Sequence, residues 1–237
     1  SYQGLGSLTI ENGLITNVNG SSTGEEIDCN RAFLAPGIID MGVKICEPGE
    51  RHKESFKSAG AAAAAGGVTT MVTRPDTNPP IDTPEILEFF IRRAEQVTQV
   101  KIIPMAALTK NLAGKELTEM AFLSDIGAIA FTNGLKQISD PKVFINALRY
   151  AADLEALVVG HPQDIILSKG ASATSGAFAT LLGLPGVSTI AEKLAIDRDI
   201  TLAASTKARY HADQISSKVG LESIRQGKER GLKISAG

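Results

Sequence analysis

The order of apolar and polar positions divides the chain into a short opening unit and a longer, repetitive one. Leu5, Leu8 and Ile10 lead into Asn12-Gly13 and then Leu14-Ile15-Thr16-Asn17-Val18. This pattern predicts a tight hairpin, because Asn and Gly both tolerate positive φ. A turn-rich stretch over 19–25 ends the unit, which is too small to be stable by itself. From Phe33 onward, short apolar runs alternate with longer helical segments. Strands are predicted at 33–40, 68–73, 101–106, 128–131, 157–159, around 211–215, and at 232–235. Helices are predicted over 53–66, 84–96, 117–126, 143–154, 190–202 and 219–230. Strands separated by helices imply a parallel α/β fold with right-handed crossovers. A doubly wound sheet and a (β/α)8 TIM-like barrel both fit that rhythm. The strand count favours the barrel but is one short, so an eighth strand and its helix are expected beyond residue 237.

Composition narrows the function classes. The chain has 237 residues, 43% hydrophobic and 21% charged, enough apolar material for one substantial core. The Ala/Gly-rich run 59–67 is too short and small-sided to cross a membrane. Cys29 and Cys46 do not make a disulfide framework, which points to a cytoplasmic setting. The net charge of -2 is dispersed, with no basic tract, and three Tyr with no Trp offer little stacking surface, so nucleic-acid binding has little support. Three histidines leave little from which to build a binuclear zinc site.

In such a fold the working residues gather at the C-terminal strand ends. The first strand runs into Asp40-Met41-Gly42-Val43-Lys44-Ile45-Cys46-Glu47. Two metal-binding imidazoles here would stand two residues apart, on one side of an extended segment. That pair is Gly42, which offers no ligand, and Lys44, a cation. The second strand ends in Arg74-Pro75-Asp76-Thr77-Asn78, where Arg74, Asp76 and Asn78 either face a pocket or tether their own loop. Asn133 follows the fourth strand, and His161 follows the fifth as the best single ligand candidate. His211 and Asp213 lie two apart near the sixth strand and are candidate residual ligands together with His161. Ser216-Ser217 and the Ser/Thr-rich run 171–176 offer hydroxyls without an activating-base motif. His52 reads as surface. Neither a dinucleotide fingerprint nor a Walker A loop is present.

The strings Phe33-Leu34-Ala35-Pro36-Gly37-Ile38-Ile39-Asp40 and Glu47-Pro48-Gly49-Glu50-Arg51-His52-Lys53-Glu54 resemble the cyclic amidohydrolases, and among them the dihydroorotases. The segments 61–70, Ala107-Leu108-Thr109-Lys110, Glu116-Leu117-Thr118-Glu119-Met120 and Leu182-Gly183-Leu184-Pro185-Gly186 extend the resemblance from about Ser7 to the end of the chain. The resemblance implies a barrel over 33–237 and a small β-sandwich built from both chain ends, with 1–32 as its N-terminal share. It also implies a metal-dependent ring-amide hydrolase from which this chain departs. The family's two strand-one histidines stand here as Gly42 and Lys44. Asn133 replaces a metal-bound aspartate, His161 is retained, and Gln214 replaces the second histidine of a pair of which His211 remains. The substrate-gripping arginine and asparagine have become Cys46 and Asp76. These positions imply a degenerate metal and substrate site, with no catalytic residue and no cofactor expected. The resemblance further suggests a non-catalytic subunit that assembles with or stabilises aspartate carbamoyltransferase in pyrimidine biosynthesis, and a homo-oligomer. The alternative is a cyclic amidohydrolase with an altered or mononuclear Zn site around His161, His211 and Asp213.

Overall fold

A computed structural model of the protein describes residues 4–20 and 24–237. The chain forms two compact units, Ser1–Pro36 and Gly37–Gly237. In the first, β1 (Leu8–Glu11) pairs antiparallel with β2 (Leu14–Val18). Asn12 and Gly13 between them adopt φ of 51 and 77, the positive-φ pair of a type I′ turn. The hairpin thus forms where the Asn-Gly signal placed it. Within the stretch 19–25, residues 21–23 lie outside the described residues.

In the second unit β3 (Ile38–Val43), α1 (Phe56–Ala65), β4 (Val68–Thr73), α2 (Pro84–Val97) and β5 (Lys101–Pro104) alternate. Then come β6 (Ala106–Ala107), α3 (Met120–Ile126), β7 (Ala130–Thr132), α4 (Pro141–Asp153) and β8 (Leu157–Gly160). An excursion after β8 carries β9 (Ala173–Thr174), α5 (Ala177–Leu181) and β10 (Gly186–Val187). The chain continues through α6 (Ile190–Thr206), β11 (Arg209–Ala212), α7 (Lys218–Glu229) and β12 (Ile234–Ala236). One parallel sheet has the order β3-β4-β5 and the other the order β12-β11-β8-β7-β6. Only Met105 separates β5 from β6, and its amide donates to Thr73 O at 2.8 Å. The two sheets therefore share one interrupted third strand and make an arc of parallel strands in chain order. Among the described residues no ladder joins β3 to β12, so the arc is barrel-like without being a closed barrel.

Local chemistry explains the helix starts. Ser55 and Ser58 form a capping box at α1, and Asp140 accepts from the amides of Lys142 and Val143 at α4. Proline opens α2 and α4, where its missing N–H is no loss. Strand alternation then sorts side chains to two faces. Met71, Ala106, Phe131 and Val158 join the core beneath the helices with Phe56, Phe90 and Phe144. Val72, Met105, Ala130 and Val159 pack together on the opposite, inner face. Two residues further along these strands stand Arg74, Thr132 and His161, at the C-terminal mouth.

Several predicted boundaries move, three of them for reasons visible in the local bonding. The first strand begins at Ile38 rather than Phe33, because Pro36 has no N–H to give a ladder and Ile38 N makes its bond to Gly67 O. The sixth strand lies at Arg209–Ala212 rather than 211–215, since Gln214 turns the backbone away at φ 60. The third helix begins at Met120 rather than 117, because Leu117 bridges to Thr109 and the Thr118 hydroxyl donates to Ala107 O at 2.6 Å. Among the described residues no helix is long and apolar enough to cross a membrane.

Candidate functional site

The site grows from how β3 ends. Its register with β4 shifts between Met41 and Val43, and Gly42 between them has φ 84. The expectation of simple same-side alternation from Gly42 to Lys44 therefore fails, because a bulge at the glycine re-aims the chain. A Cβ at Gly42 would lie 3.6 Å from both carboxylate oxygens of Asp213, so the space beside this backbone faces an acid. Past the bulge, Lys44 Nζ stands 3.2 Å from Asp76 Oδ2. On the other side of the same carboxylate, Arg74 Nε is 3.4 Å from Asp76 Oδ1. A Cβ at Gly134, where φ is 63, would come within 3.4 Å of Asp76 Cγ. Asp76 is thus gathered between two cations from β3 and β4 and the glycine turn after β7. Asn78 is exposed. Of the sequence alternatives for this loop, tether or pocket lining, Arg74 and Asp76 combine both: they pair, and they do so at the mouth.

The imidazoles and amides occupy different settings. His161 Nδ1 is buried without a hydrogen-bond partner among the described residues. Burial, together with the charge of Arg74, pulls the His161 pKa below 6.5, against the opposing pull of Asp213. His211 Nδ1 lies 2.8 Å from Ser235 Oγ, and burial lowers its pKa too. His211 and Asp213 do not stack as a pair on an extended strand. Asp213 lies past the end of β11, its amide donating to Gly160 O at 2.8 Å. Gln214 is exposed. Asn133 is buried and spends its amide on one neighbour: Oδ1 accepts from Thr109 N at 3.1 Å, and Nδ2 donates to Thr109 Oγ1 at 2.7 Å. Cys46 is a half-buried free thiol.

Four buried side-chain atoms lack a hydrogen-bond partner among the described residues: Thr73 Oγ1, Arg74 Nε, Asp76 Oδ1 and His161 Nδ1. All belong to the ends of β4 and β8. Arg74 Nε and Asp76 Oδ1 attract one another as ions, without hydrogen-bond alignment. Among the described residues, no three His, Cys, Asp or Glu side chains form a group that could hold a metal ion. The mouth holds an ammonium, a guanidinium, two carboxylates and an imidazole that favours its neutral form. Such a set can bind by charge, yet it presents no clustered donors for an ion.

Sequence reasoning missed the buried carboxylates that fasten this mouth. Glu47, beside Cys46, accepts from Phe56 N at 3.0 Å and from Arg93 Nε at 3.2 Å, tying the β3 loop to α1 and α2. Glu192 on α6 accepts from the amides and hydroxyls of Ser216 and Ser217. Burial raises its pKa, but these four bonds outweigh burial and the net shift is downward. The hydroxyls that looked like unassisted nucleophiles are therefore donors to a clamp. Asp199 receives Arg198 and the Tyr210 hydroxyl, the latter at 2.8 Å. A serine pair just before a helix is the one local signal that hinted at the Glu192 clamp. His52 is exposed, as expected.

Comparison with known proteins adds ancestry to this geometry. Residues 31–220 match the family model described as dihydro-orotase-like. A dihydroorotase-like protein of Pseudomonas putida is 41% identical over 92% of this chain and 51% of its own length. A dihydroorotase-like protein of Pseudomonas aeruginosa is 35% identical over 98% of the chain and 56% of its own length. A dihydroorotase of Syntrophus aciditrophicus is 36% identical over 89% of the chain and 49% of its own length. The chain spans about half the length of these curated relatives. Among solved structures, the L-hydantoinase of Arthrobacter aurescens superposes with a TM-score of 0.80 at 20% identity, over 98% of this chain and 54% of that one, a likeness of fold.

Proposed function

This chain belongs to the dihydro-orotase-like family, and from that premise we propose that it is a non-catalytic member, retained as an assembly or stabilising subunit for aspartate carbamoyltransferase in the cytoplasm. One observation carries the reading: at the mouth, where the family's chemistry would sit, Lys44 and Arg74 share the carboxylate of Asp76. A hydrolytic binuclear zinc site needs several anionic or imidazole donors around each ion, to hold it and to lower the pKa of its water. The residues here do not fit that group. Gly42 supplies no donor and its backbone faces Asp213. Lys44 brings a positive charge and is engaged with Asp76. Both polar ends of Asn133 are committed to Thr109, and Gln214 is turned out. Cys46 stands in place of a substrate-gripping arginine, and the cations that remain, Lys44 and Arg74, are engaged by Asp76 rather than free for an anionic substrate.

The names of the Pseudomonas relatives, dihydroorotase-like proteins, agree with a variant of the enzyme. The carbamoyltransferase partner and a homo-oligomeric state follow from the family reading, as does the place of the hairpin in a β-sandwich. Mixing the purified protein with the transferase of the same organism tests the partner. Co-elution in size exclusion and a raised transferase melting temperature are expected. Separate elution with unchanged transferase activity and melting would remove the assembly role.

A second reading, a cyclic amidohydrolase with an altered or mononuclear zinc site, draws on one observation. His161 is held near-neutral and lies in the electrostatic reach of Asp213. Turnover of hydantoins or cyclic imides by protein carrying one tightly bound zinc would favour it.

A further inference from the structure

At the opposite, N-terminal end of the arc, three loops that feed adjacent strands line an open concavity of about 390 Å³. Asp153 and Glu155 come from the turn between α4 and β8, Thr206, Lys207 and Arg209 from the junction of α6 and β11, and Lys233 from the approach to β12. Three cations thus line one concavity, far along the strands from Lys44 and Arg74. None of Lys207, Arg209 and Lys233 makes an ion pair among the described residues, although two carboxylates line the same space. Opposite charges that stay apart across a concavity leave charge on both sides for something placed between them.

Backbone bonds fix the positions from which these cations extend. Lys207 caps α6 in the left-handed region at φ 58, where glycine is the usual occupant, and its amide bonds back to Ala203 and Ala204. Arg209 donates Nη1 to Glu155 O at 3.1 Å, which fastens the first loop to the second. The carbonyl of Lys233 accepts from Tyr210 N at 3.0 Å, which fastens the third. The volume lies in the range of small-molecule sites, and Lys and Arg side chains that converge on one concavity suit the oxygens of a phosphate.

We propose that this cavity binds a small phosphate monoester, its phosphate against Lys207, Arg209 and Lys233 and an amine or hydroxyl of its carrier against Asp153 and Glu155. The position, away from the strand ends that carry chemistry in this fold, makes it a ligand site independent of the mouth and of the subunit role proposed above.

Titration of the protein with inorganic phosphate and with phosphoethanolamine, followed by calorimetry and ³¹P NMR at constant ionic strength, tests the assignment. Saturable binding of both is expected, tighter for phosphoethanolamine because its ammonium meets the carboxylates. The double variant Lys207→Gln with Lys233→Gln, at exposed positions that leave the core intact, should weaken phosphate binding by about tenfold or more. Asp153→Asn with Glu155→Gln should erase the advantage of phosphoethanolamine while leaving inorganic phosphate bound. Absence of saturable binding by either probe, or equal affinity in the lysine double variant, overturns the proposal.

Discussion

Two groups of buried polar side chains in the same arc behave in opposite ways. Around Glu192, both carboxylate oxygens are bonded, to two amides and two hydroxyls, and around Asp199 both oxygens are bonded as well. At the ends of β4 and β8, by contrast, Thr73, Arg74, Asp76 and His161 each leave a buried polar atom without a hydrogen bond among the described residues. Buried groups whose task is to hold a fold are satisfied, since each orphan costs about 1–3 kcal/mol. The contrast separates a fastening cluster from a mouth whose polar residues were not arranged for stability alone.

The comparison can be broken most forcefully at the clamp. Glu192→Ala strips the Ser216 and Ser217 amides and hydroxyls of their acceptor beside the start of α7, and should lower unfolding free energy by about 3 kcal/mol in urea melts. A loss under about 1 kcal/mol would mean the satisfied cluster is not what fastens α6 to α7. Gly42→Ala comes next. A side chain at φ 84 is strained, and Asp213 lies close by, so a loss of about 1–2 kcal/mol is expected from the same measurement. Lys44→Ala should matter less, under about 1 kcal/mol, because Lys44 is 41% exposed and its pair with Asp76 is half solvated. A large loss there would place the mouth among the fastening elements.

The smallest effect is on pH. The pKa values of His161 and His211 are depressed below 6.5 in the folded protein, so the unfolded chain takes up these protons first as pH falls. Their contribution is therefore complete above about pH 6.5 and is lost progressively below it. Melting temperatures recorded from pH 8 to pH 5 should decline on the acid side, and His161→Gln should flatten that decline. An unchanged profile in the variant would mean that His161 does not titrate differently on folding.

Much of this architecture was legible in the chain, and the reasons are physical. Asn12-Gly13 has one low-strain use between two apolar runs, and the alternation of short strands with long helices admits only parallel connections. The seven strand positions followed from that rhythm, while their ends did not, because proline, a left-handed Gln214 and side-chain bonds at Thr118 decide where ladders start and stop. At the mouth, the residue types were readable: Gly42, Lys44, Asp76, Asn133 and His161 stand at strand ends. Their partners were not. Asp76 meets Lys44 at a sequence separation of 32, and Glu192 meets Ser216 at a separation of 24. Pairings at such distances leave no periodic trace. The bulge at Gly42 also escaped notice, because a glycine beyond a strand reads equally as a missing side chain or as a left-handed turn.

The most direct test of the mouth is metal stoichiometry measured together with turnover. Protein purified without chelators and equilibrated with zinc should hold well under one ion per chain by elemental analysis after gel filtration, and should hydrolyse dihydroorotate no faster than buffer. Two tightly held zinc ions per chain accompanied by dihydroorotate turnover would contradict a mouth built around Lys44, Asp76 and Arg74.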